Sequence, residues 1–409
     1  MKHFRFPFLF LLAGLIMTGI LIDSASWHGD TVSLSPVLPE PHIRIPATTS
    51  RPELSSLNAR YACVMDSSSG RPLYGKDLNK KVPMASTTKI MTSLLVLEGN
   101  YLSDTVTASK KASSMPKVHL GMQPGLQYRM SDLLYSLMLE SHNDTAVAIA
   151  EHIGHSVEGF AALMNEKAKK IGLHNTHFVT PNGLDANGHY STAEDMCLLA
   201  RYAIKNKAFL SLVQTRSHTF TDLSGRHSYS LSNKDAFLSY YDGALGIKTG
   251  FTNQAGYCFV GAARRSRITL TSCVLASGWP PNKTYKWADT KQLMDYGFTN
   301  FYPSKMPVQD LSQSKISVID GKKKAVSLSP LPDIPVLLSR SDELAIDYDI
   351  PYVIHAPIRK NIPVGSVSFY INNKLYRKEM VFPIENIEKS NFSDTIDNVL
   401  QLWMEIFGF

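Results

Sequence analysis

The chain has 409 residues, more than one typical hydrophobic core holds, so two domains are predicted. Apolar residues make up 44% and charged residues 19%, a balance typical of globular proteins that argues against extensive disorder. The net charge of +7 comes from basic residues scattered along the chain, a pattern that favours a solvated basic surface over a nucleic-acid site.

The N-terminus predicts export. Lys2 and Arg5 precede an apolar stretch at 8–22, which has the length of a signal-peptide core and is short for a spanning helix. Small residues before Trp27 would allow cleavage there, so residues 1–26 are predicted to be a signal peptide, with a retained anchor as the alternative. Export excludes nucleic acid as a partner.

A helix with a catalytic pair is predicted beyond the next segment. Residues 27–58 are rich in Pro, Ser and Thr and are expected to be a linker. Residues 86–97 have the apolar spacing of a helix. Ser86 and Lys89 would share one face of it, and a neutral lysine can take the proton of a serine hydroxyl. Ser86 is therefore the candidate nucleophile and Lys89 its candidate base.

Two more motifs follow in order. Ser141-His142-Asn143 joins apolar helices predicted at 131–140 and 145–153, and Lys248-Thr249-Gly250 is expected to open a strand-like run at 255–262. Each motif alone is weak evidence, but the three together, in this order, indicate a serine acyl-transfer site.

The residues of the second motif are expected to assist proton transfer. Lys89 must be neutral, and Lys248 is a nearby cation that would help to lower its pKa. Ser141 would bridge the two lysines and relay a proton to the leaving amine. Asn143 would hydrogen-bond the substrate amide and orient the base.

The third motif is expected to bind substrate. Lys248 would attract an anionic group, and the Thr249 hydroxyl would bind a terminal carboxylate. Gly250 permits close backbone approach of a peptide that lies antiparallel to this strand. The main-chain N–H groups of Ser86 and Phe251 are candidates for an oxyanion hole.

The remaining elements predict an α+β domain followed by a smaller β domain. Further helices are expected at 160–171 and 287–296, and a third starts with a capping segment at 191–195 and continues to 203. Strands are expected at 61–65, 256–262 and 268–275. Residues 306–384 alternate polar and apolar, with hairpin turns at Asp320-Gly321 and Asn372-Asn373. These patterns place a catalytic domain at 59–302 and a β-rich domain at 303–385.

The last segment, 386–409, predicts an amphipathic helix. Apolar residues recur there at three- and four-residue spacing, and Trp403 stands near its end. Association with a membrane surface is expected, although the acidic polar face weakens attraction to anionic lipid. Docking on the same protein or on a second copy is the alternative.

Cysteines and histidines give no metal signal. Cys63, Cys197, Cys258 and Cys273 lack metal-ligand spacing and are expected to be buried small apolar residues. Cys63 and Cys273 are the pair to test for a disulfide.

At these motifs the chain resembles the low-molecular-mass penicillin-binding proteins of the D-alanyl-D-alanine carboxypeptidase type, within the wider group of serine acyltransferases that includes β-lactamases. The resemblance covers residues 59–302 in detail. The supporting segments are Ala85-Ser86-Thr87-Thr88-Lys89-Ile90-Met91-Thr92, Ser141-His142-Asn143-Asp144, Asn182-Gly183-Leu184-Asp185 and Gly246-Ile247-Lys248-Thr249-Gly250-Phe251-Thr252. Residues 356–383 resemble that family's C-terminal β domain, and the last helix resembles its membrane anchor.

The resemblance implies removal of the terminal D-alanine from peptidoglycan pentapeptide stems, with acylation by β-lactam antibiotics. It implies an antiparallel sheet with a helical block, no metal or other cofactor, and a peripheral location on the periplasmic face of the cytoplasmic membrane. Two residues depart from the family pattern: His142 replaces a small residue, so the cleft is expected to be tighter or to carry a titratable group. Lys286 stands where an arginine is common, which would weaken carboxylate recognition.

Three other functions share the same motifs. A β-lactamase would need a carboxylate-activated water, and no Glu-x-x-Leu-Asn element is present. A DD-endopeptidase would differ only in the shape of its cleft. A sensor that stays acylated would be expected to carry a fused signalling domain.

Overall fold

The computed structural model describes residues 38–54 and 56–407, so the predicted signal segment lies outside the described residues. Among the described residues, ten strands precede residue 300: β1 (His42–Ile45), β2 (Tyr61–Asp66), β3 (Pro72–Lys76), β4 (Thr105–Thr107), β5 (Gln127–Arg129), β6 (Ser217–Thr221), β7 (Ser228–Ser232), β8 (Ala244–Thr252), β9 (Gly256–Arg265) and β10 (Ile268–Leu275). Eight follow: β11 (Tyr302–Lys305), β12 (Lys315–Ile319), β13 (Ala325–Ser327), β14 (Pro335–Leu338), β15 (Leu344–Asp349), β16 (Val353–His355), β17 (Gly365–Ile371) and β18 (Lys374–Val381).

The α-helices of the described residues lie mostly between β3 and β8. They are α1 (Lys89–Glu98), α2 (Lys110–Ser113), α3 (Met130–Tyr135), α4 (Asn143–Gly154), α5 (Val157–Lys170), α6 (Ala193–Ala203), α7 (Lys207–Gln214), α8 (Phe237–Tyr240), α9 (Tyr285–Asn300) and α10 (Phe392–Phe407). Short 3₁₀ turns occupy Ala85–Thr88, Tyr101–Ser103 and Leu311–Gln313, and a π-helix occupies Ser136–Glu140.

A five-stranded antiparallel sheet separates two layers of helix. Its strand order is β3-β2-β10-β9-β8, which leaves β8 at one edge. Successive side chains of a strand point to opposite faces. On β2, Cys63 therefore packs with the helical block around α1, whereas Val64 packs with α9 on the other face. This arrangement confirms the predicted fold class.

The helix predicted at 86–97 begins differently from the prediction. The segment starts as the 3₁₀ turn Ala85–Thr88, and the α-helix begins only at Lys89. The helix predicted at 131–140 is likewise divided, because α3 passes into the π-helix that ends at Ser141. Both irregular turns lie at the predicted motifs. 3₁₀ turns are frequent at the ends of α-helices, and π-helical turns are frequent at functional sites.

The placement of Lys248-Thr249-Gly250 at the start of the strand 255–262 is wrong. The motif lies inside β8, and a tight turn after Thr252 leads into β9, which pairs with β8 from Thr252↔Gly256 onward. Glycines at 246 and 250 give β8 a low strand propensity, which is why the pattern did not predict it.

Most of the chain after residue 300 is a β-rich region with its own apolar core, as predicted. Its largest sheet has the order β1-β15-β17-β18. Asn372 and Asn373 both take left-handed φ values, 52° and 61°, as a two-residue hairpin turn requires. The prediction that 27–58 is only a linker is wrong at β1, since His42–Ile45 pairs with β15 and completes the edge of this sheet.

The β-rich region contacts the catalytic region through an ion pair whose carboxylate is buried. Arg71 follows β2, and its Nη2 lies 2.5 Å from Asp342 Oδ1. Arg71 also donates to the Leu337 carbonyl at 2.7 Å. These contacts join the β-rich region to the edge of the five-stranded sheet that lies opposite to β8.

The four cysteines are buried free thiols, which agrees with the expectation that they are buried small apolar residues. Cys63 stands directly opposite Cys273 in the β2–β10 register without a disulfide. Among the described residues, no helix has the length and apolarity needed to span a membrane.

Candidate active site

Ser86 lies in the 3₁₀ turn directly before α1, and it is half-buried. Ala85 has a φ of 49°, a left-handed conformation that is uncommon for a residue with a side chain and is enriched at functional sites. Lys89 begins α1, and its Nζ lies 2.9 Å from Ser86 Oγ. The contact expected from the three-residue spacing is present.

Lys89 is buried and its amine is surrounded by oxygen acceptors. Nζ donates to Asn143 Oδ1 at 2.9 Å and to the Asn182 carbonyl at 2.6 Å. Burial lowers the pKa of Lys89 well below its ordinary value, Lys248 lowers that pKa further, and Asp144 opposes the shift. A neutral amine has two N–H groups and one lone pair. With both N–H groups bound to amide oxygens, the lone pair is free to accept the Ser86 proton.

Asn182 is a site residue to which the sequence assigned no role, although its motif was part of the resemblance. Its carbonyl lies beside both Lys89 Nζ and Ser86 Oγ, at 2.6 and 3.4 Å. The next residue, Gly183, has a φ of +82°, and a Cβ there would lie 2.0 Å from the Ala85 carbonyl oxygen. In the sequence, the pair Asn182-Gly183 was the feature that could have indicated this close approach to the Ala85 main chain.

Ser141 and Asn143 lie where the chain leaves the π-helix. Asn143 fixes a neighbouring loop, because its Nδ2 donates to the Pro116 carbonyl and its main-chain N–H to the Val118 carbonyl. Ser141 has a φ of 69°, and its Oγ is buried without a hydrogen-bond partner among the described residues. The predicted bridge from Ser141 to the two lysines is therefore absent from this structure, since Asn143 and Asn182 bind the Lys89 amine.

His142 lies behind the wall of the cleft, with its Nε2 3.5 Å from Oε2 of Glu140, which lines the cleft. Its ring is buried, and its Nδ1 lies 2.8 Å from Ser136 Oγ. Burial lowers the pKa of His142 to about 4, against the opposing charges of Asp144 and Glu140, so the ring is neutral near pH 7. The expectation that His142 tightens the cleft or titrates in it is wrong, because the side chain is not among those that line the cleft.

Strand β8 forms the opposite wall of the cleft. Gly250 passes so close to the nucleophile that a Cβ there would lie 3.0 Å from the Ser86 nitrogen. Thr249 and Phe251 line the cleft, and the Phe251 ring lies 4.7 Å from that of Tyr257. Lys248 is buried, which lowers its pKa to about 8, although the charge of Asp235 opposes this shift.

Asp235 is a second residue that sequence reasoning missed. It is buried, and its carboxylate accepts from the main-chain N–H groups of Phe237 and Ile247 at 3.0 Å each. Burial raises the pKa of Asp235 to about 6, while those hydrogen bonds and Lys248 lower it. Nothing in the local sequence indicated this role, because only the folded sheet brings Asp235 to Lys248.

Lys286 is in the cleft, as its position in the motif pattern implied. Its Nζ donates to the Lys283 carbonyl at 2.5 Å and lies 4.8 Å from the centre of the Tyr257 ring. Burial is the main cause that lowers the pKa of Lys286 to about 8.

The cleft between these walls has a volume of about 490 Å³ and is predominantly cationic. Lys117, Lys234, Lys283 and Lys286 line it with one carboxylate, Glu140, whose Oε1 lies 3.2 Å from Lys234 Nζ. Among the described residues no cluster of three or more His, Cys, Asp or Glu side chains could hold a metal ion.

Two family models match the chain. The model described as D-alanyl-D-alanine carboxypeptidase matches residues 46–278. The model described as penicillin-binding protein 5, C-terminal domain, matches residues 301–389.

Relatives with this name are similar over most of the chain. The D-alanyl-D-alanine carboxypeptidase DacC of Escherichia coli is 30% identical, over 87% of this chain and 91% of its own length. The D-alanyl-D-alanine carboxypeptidase DacF of Bacillus subtilis is 28% identical, over 84% of this chain and 90% of its own. Penicillin binding protein 5 from Haemophilus influenzae, a solved structure, superposes with a TM-score of 0.68 at 26% identity, over 83% of this chain and 100% of its own.

Proposed function

The chain belongs to the D-alanyl-D-alanine carboxypeptidase family, and we propose that it removes the terminal D-alanine from peptidoglycan pentapeptide stems through an acyl-enzyme on Ser86. The observation that carries this proposal is the buried Lys89 amine, which lies 2.9 Å from Ser86 Oγ with its pKa lowered. An alcohol becomes a competent nucleophile when such a base takes its proton.

In the first half of the reaction, Ser86 Oγ attacks the carbonyl carbon of the penultimate D-alanine while Lys89 takes the hydroxyl proton. The oxyanion is stabilised by the main-chain N–H groups of Ser86 and Phe251, which the close packing of Gly250 brings together. The peptide bond then breaks, and the amine of the leaving D-alanine takes the proton that Lys89 accepted from Ser86. Ser141 relays this proton after its side chain turns toward Lys89, since in this structure Ser141 Oγ is buried without a hydrogen-bond partner among the described residues.

In the second half, water attacks the ester carbon while Lys89 takes its proton. The bond from that carbon to Ser86 Oγ then breaks, the shortened stem leaves as a carboxylate, and Lys89 returns the proton to Ser86 Oγ. Asn143 holds Lys89 Nζ in place through this step. Thr249 binds the terminal carboxylate of the substrate, and Lys286 adds a positive charge in the cleft. Lys248 does not line the cleft, and its buried charge attracts the carboxylate from within β8. β-Lactams acylate Ser86 by the same attack, because their strained amide carbonyl and their carboxylate correspond to the two groups of the substrate.

The test is release of D-alanine from a pentapeptide that ends in D-Ala-D-Ala. The wild-type chain is expected to release it and to form a covalent penicillin adduct, measured by intact-mass spectrometry. Ser86→Ala should do neither, whereas the control Ser114→Ala, on an exposed residue, should do both. A penicillin adduct on Ser86→Ala would refute the assignment of the nucleophile, and rapid turnover of penicillin would indicate a β-lactamase instead.

We also propose that α10 attaches the exported enzyme to the outer face of the cytoplasmic membrane. The apolar side chains Phe392, Val399, Leu400, Trp403, Ile406 and Phe407 of α10 are all exposed. A stripe of this size is typical of membrane-surface helices. The start of α10 is fixed to the β-rich region, since Lys322 Nζ lies 3.1 Å from Asp394 Oδ1.

Sedimentation with phospholipid vesicles tests the attachment. The wild-type chain is expected to sediment with vesicles of zwitterionic phospholipid, because apolar burial and not charge attraction is the driving force. Trp403→Glu should stay in the supernatant, whereas Ser393→Glu, which adds the same charge on a polar residue, should still sediment. Equal sedimentation of both variants would contradict this attachment.

A further inference from the structure

Main-chain hydrogen bonds join the start of α10 to the turn that follows β12. The Ser390 N–H donates to the Asp320 carbonyl at 2.7 Å, and the Lys322 N–H donates to the Glu388 carbonyl at 3.0 Å. Lys322 Nζ also lies 3.1 Å from Asp394 Oδ1, in the first turn of α10. The start of the helix therefore has a fixed position on the β-rich region.

A second loop of the β-rich region joins the same surface. Ile358 and Ile387 exchange two main-chain hydrogen bonds, of 2.8 and 3.1 Å. The Lys360 N–H donates to Asn386 Oδ1 at 2.9 Å. The three segments that these contacts hold around the start of α10 are named the root surface: residues 319–324, 358–362 and 386–390.

The root surface has an excess of positive charge. Three of its basic side chains have a carboxylate partner, in the pairs Lys322–Asp394, Lys323–Glu385 and Arg359–Glu388. Three more lysines are exposed and form no ion pair with a described residue, namely Lys324, Lys360 and Lys389. One further carboxylate of the surface, Asp320, lies 3.8 Å from His355 Nδ1. The unpaired lysines outnumber it, so the surface attracts an anionic partner.

Apolar side chains are exposed on the same surface. Ile319 is 44% exposed and Ile362 is 56% exposed, and Phe392, the first residue of α10, is 81% exposed. These side chains adjoin lysines at the start of a helix whose apolar stripe is open. A membrane surface matches both features, because apolar side chains enter the acyl boundary while lysines meet the phosphate groups. A soluble anionic polymer would match the lysines alone.

The attachment proposed for α10 brings the root surface to the level of the lipid headgroups. A membrane-surface helix lies in the plane of the interface, with its apolar face buried by about 5–10 Å. Lys389 precedes Phe392 by three residues. Attraction to anionic headgroups acts over about a Debye length, about 8 Å at physiological salt. A lysine that adjoins the start of a membrane-bound helix therefore lies in the field of the headgroups.

We propose that the root surface binds the headgroups of anionic phospholipids while α10 lies on the membrane. Lys324, Lys360 and Lys389 supply the attraction, which offsets the repulsion expected from the acidic polar face of α10. This inference rests on the proposed attachment of α10, and it adds the class of lipid that the β-rich region recognises.

Sedimentation with two kinds of phospholipid vesicle tests the proposal. One kind is pure phosphatidylcholine, and the other contains equal parts of phosphatidylcholine and phosphatidylglycerol. We expect the wild-type chain to bind the mixed vesicles at least about fivefold more tightly, the contribution of one lysine at an anionic surface. This preference should shrink as the salt concentration rises.

A triple variant should remove the preference without removing the attachment. Lys324→Gln, Lys360→Gln and Lys389→Gln together should bind both kinds of vesicle equally, because α10 is unchanged. The matched control, Lys169→Gln with Lys205→Gln and Lys207→Gln, removes the same charge from exposed lysines of the catalytic region and should keep the preference. An unchanged Tm shows that both variants are folded.

Equal binding of the wild-type chain to both kinds of vesicle would overturn the proposal, as would a preference that the two triple variants keep or lose alike. Failure of the α10 attachment gives a different result, namely no sedimentation with pure phosphatidylcholine. In that case, sedimentation with the mixed vesicles that only the root-surface variant loses supports the proposal, and no sedimentation with either kind overturns it. Sedimentation does not depend on catalysis, so failure of the proposed carboxypeptidase function leaves this test intact.

Discussion

At the residue scale, the positions of three lysines determine the chemistry of the cleft. Lys89, Lys248 and Lys286 are all buried, and burial lowers the pKa of each because it removes water from the ammonium group. They have different tasks, since Lys89 must lose its proton whereas Lys248 and Lys286 must keep theirs. Burial holds the pKa of Lys89 well below its ordinary value, and the charge of Lys248 contributes to this lowering.

The dependence of kcat/KM on pH should reflect both tasks. We expect kcat/KM to rise on the acid side as Lys89 deprotonates. It should fall as the pH passes about 8, because Lys248 and Lys286 then lose the charge that binds the substrate carboxylate. The measurement is the pH profile of D-alanine release.

Two variants should move the alkaline fall in opposite directions. Lys286→Arg keeps its charge at high pH and should move the fall upward. Asp235→Asn removes the carboxylate that raises the pKa of Lys248 and should move it downward. Profiles identical to that of the wild-type chain would show that these groups do not bind the carboxylate.

At the element scale, the turn before α1 depends on a glycine. Gly183 and Gly125 have the same φ, +82°, but a Cβ on Gly183 would collide with the Ala85 carbonyl, whereas one on Gly125 would meet nothing within 4 Å. The two positions therefore separate backbone strain from steric contact with the catalytic turn.

Gly183→Ala should impair the site more than Gly125→Ala. Each substitution costs about 1 kcal/mol for a side chain in the left-handed region. Only Gly183→Ala should also displace Ser86 and slow penicillin acylation, measured by intact mass, with Tm as the measure of stability. Equal acylation rates for the two variants would contradict the proposed packing.

Much of the structure at the scale of helices and strands could be predicted from the sequence. The three-residue spacing of Ser86 and Lys89 predicted their contact, because helical geometry alone brings such residues together. The π-helix before Ser141 was not predicted. The strand of Lys248-Thr249-Gly250 was predicted as the opening of the run at 255–262 and not as the separate strand β8, because two glycines weaken its strand pattern. Asp235 was missed for a related reason, because the N–H of Ile247 that binds it belongs to another element, β8.

At the scale of the whole molecule, the β-rich region is joined to the far edge of the catalytic sheet by Arg71 and Asp342. The Asp342 carboxylate also accepts from the Ser339 N–H and from Asn372 Nδ2, both at 2.8 Å. The alternating pattern predicted this β region, but β1 was predicted to be linker. A four-residue strand at a sheet edge gives little periodic signal on its own.

Arg71→Ala should lower the free energy of unfolding by about 3 kcal/mol, because it leaves a buried carboxylate without its cation. Chemical denaturation measures this change. The double variant Arg71→Ala with Asp342→Asn should recover part of it, and the control Lys170→Ala, in an exposed pair, should have no resolvable effect. An unchanged midpoint for Arg71→Ala would contradict a stabilising junction.

The central claim is that neutral Lys89 activates Ser86, and the rate of penicillin acylation by Lys89→Arg tests it most directly. Arginine keeps the positive charge and cannot give up its proton, so it cannot act as the base. We expect acylation to slow by about 100- to 10,000-fold, the usual contribution of a general base, in a variant whose Tm confirms that it is folded. An acylation rate within about threefold of that of the wild-type chain would contradict the claim.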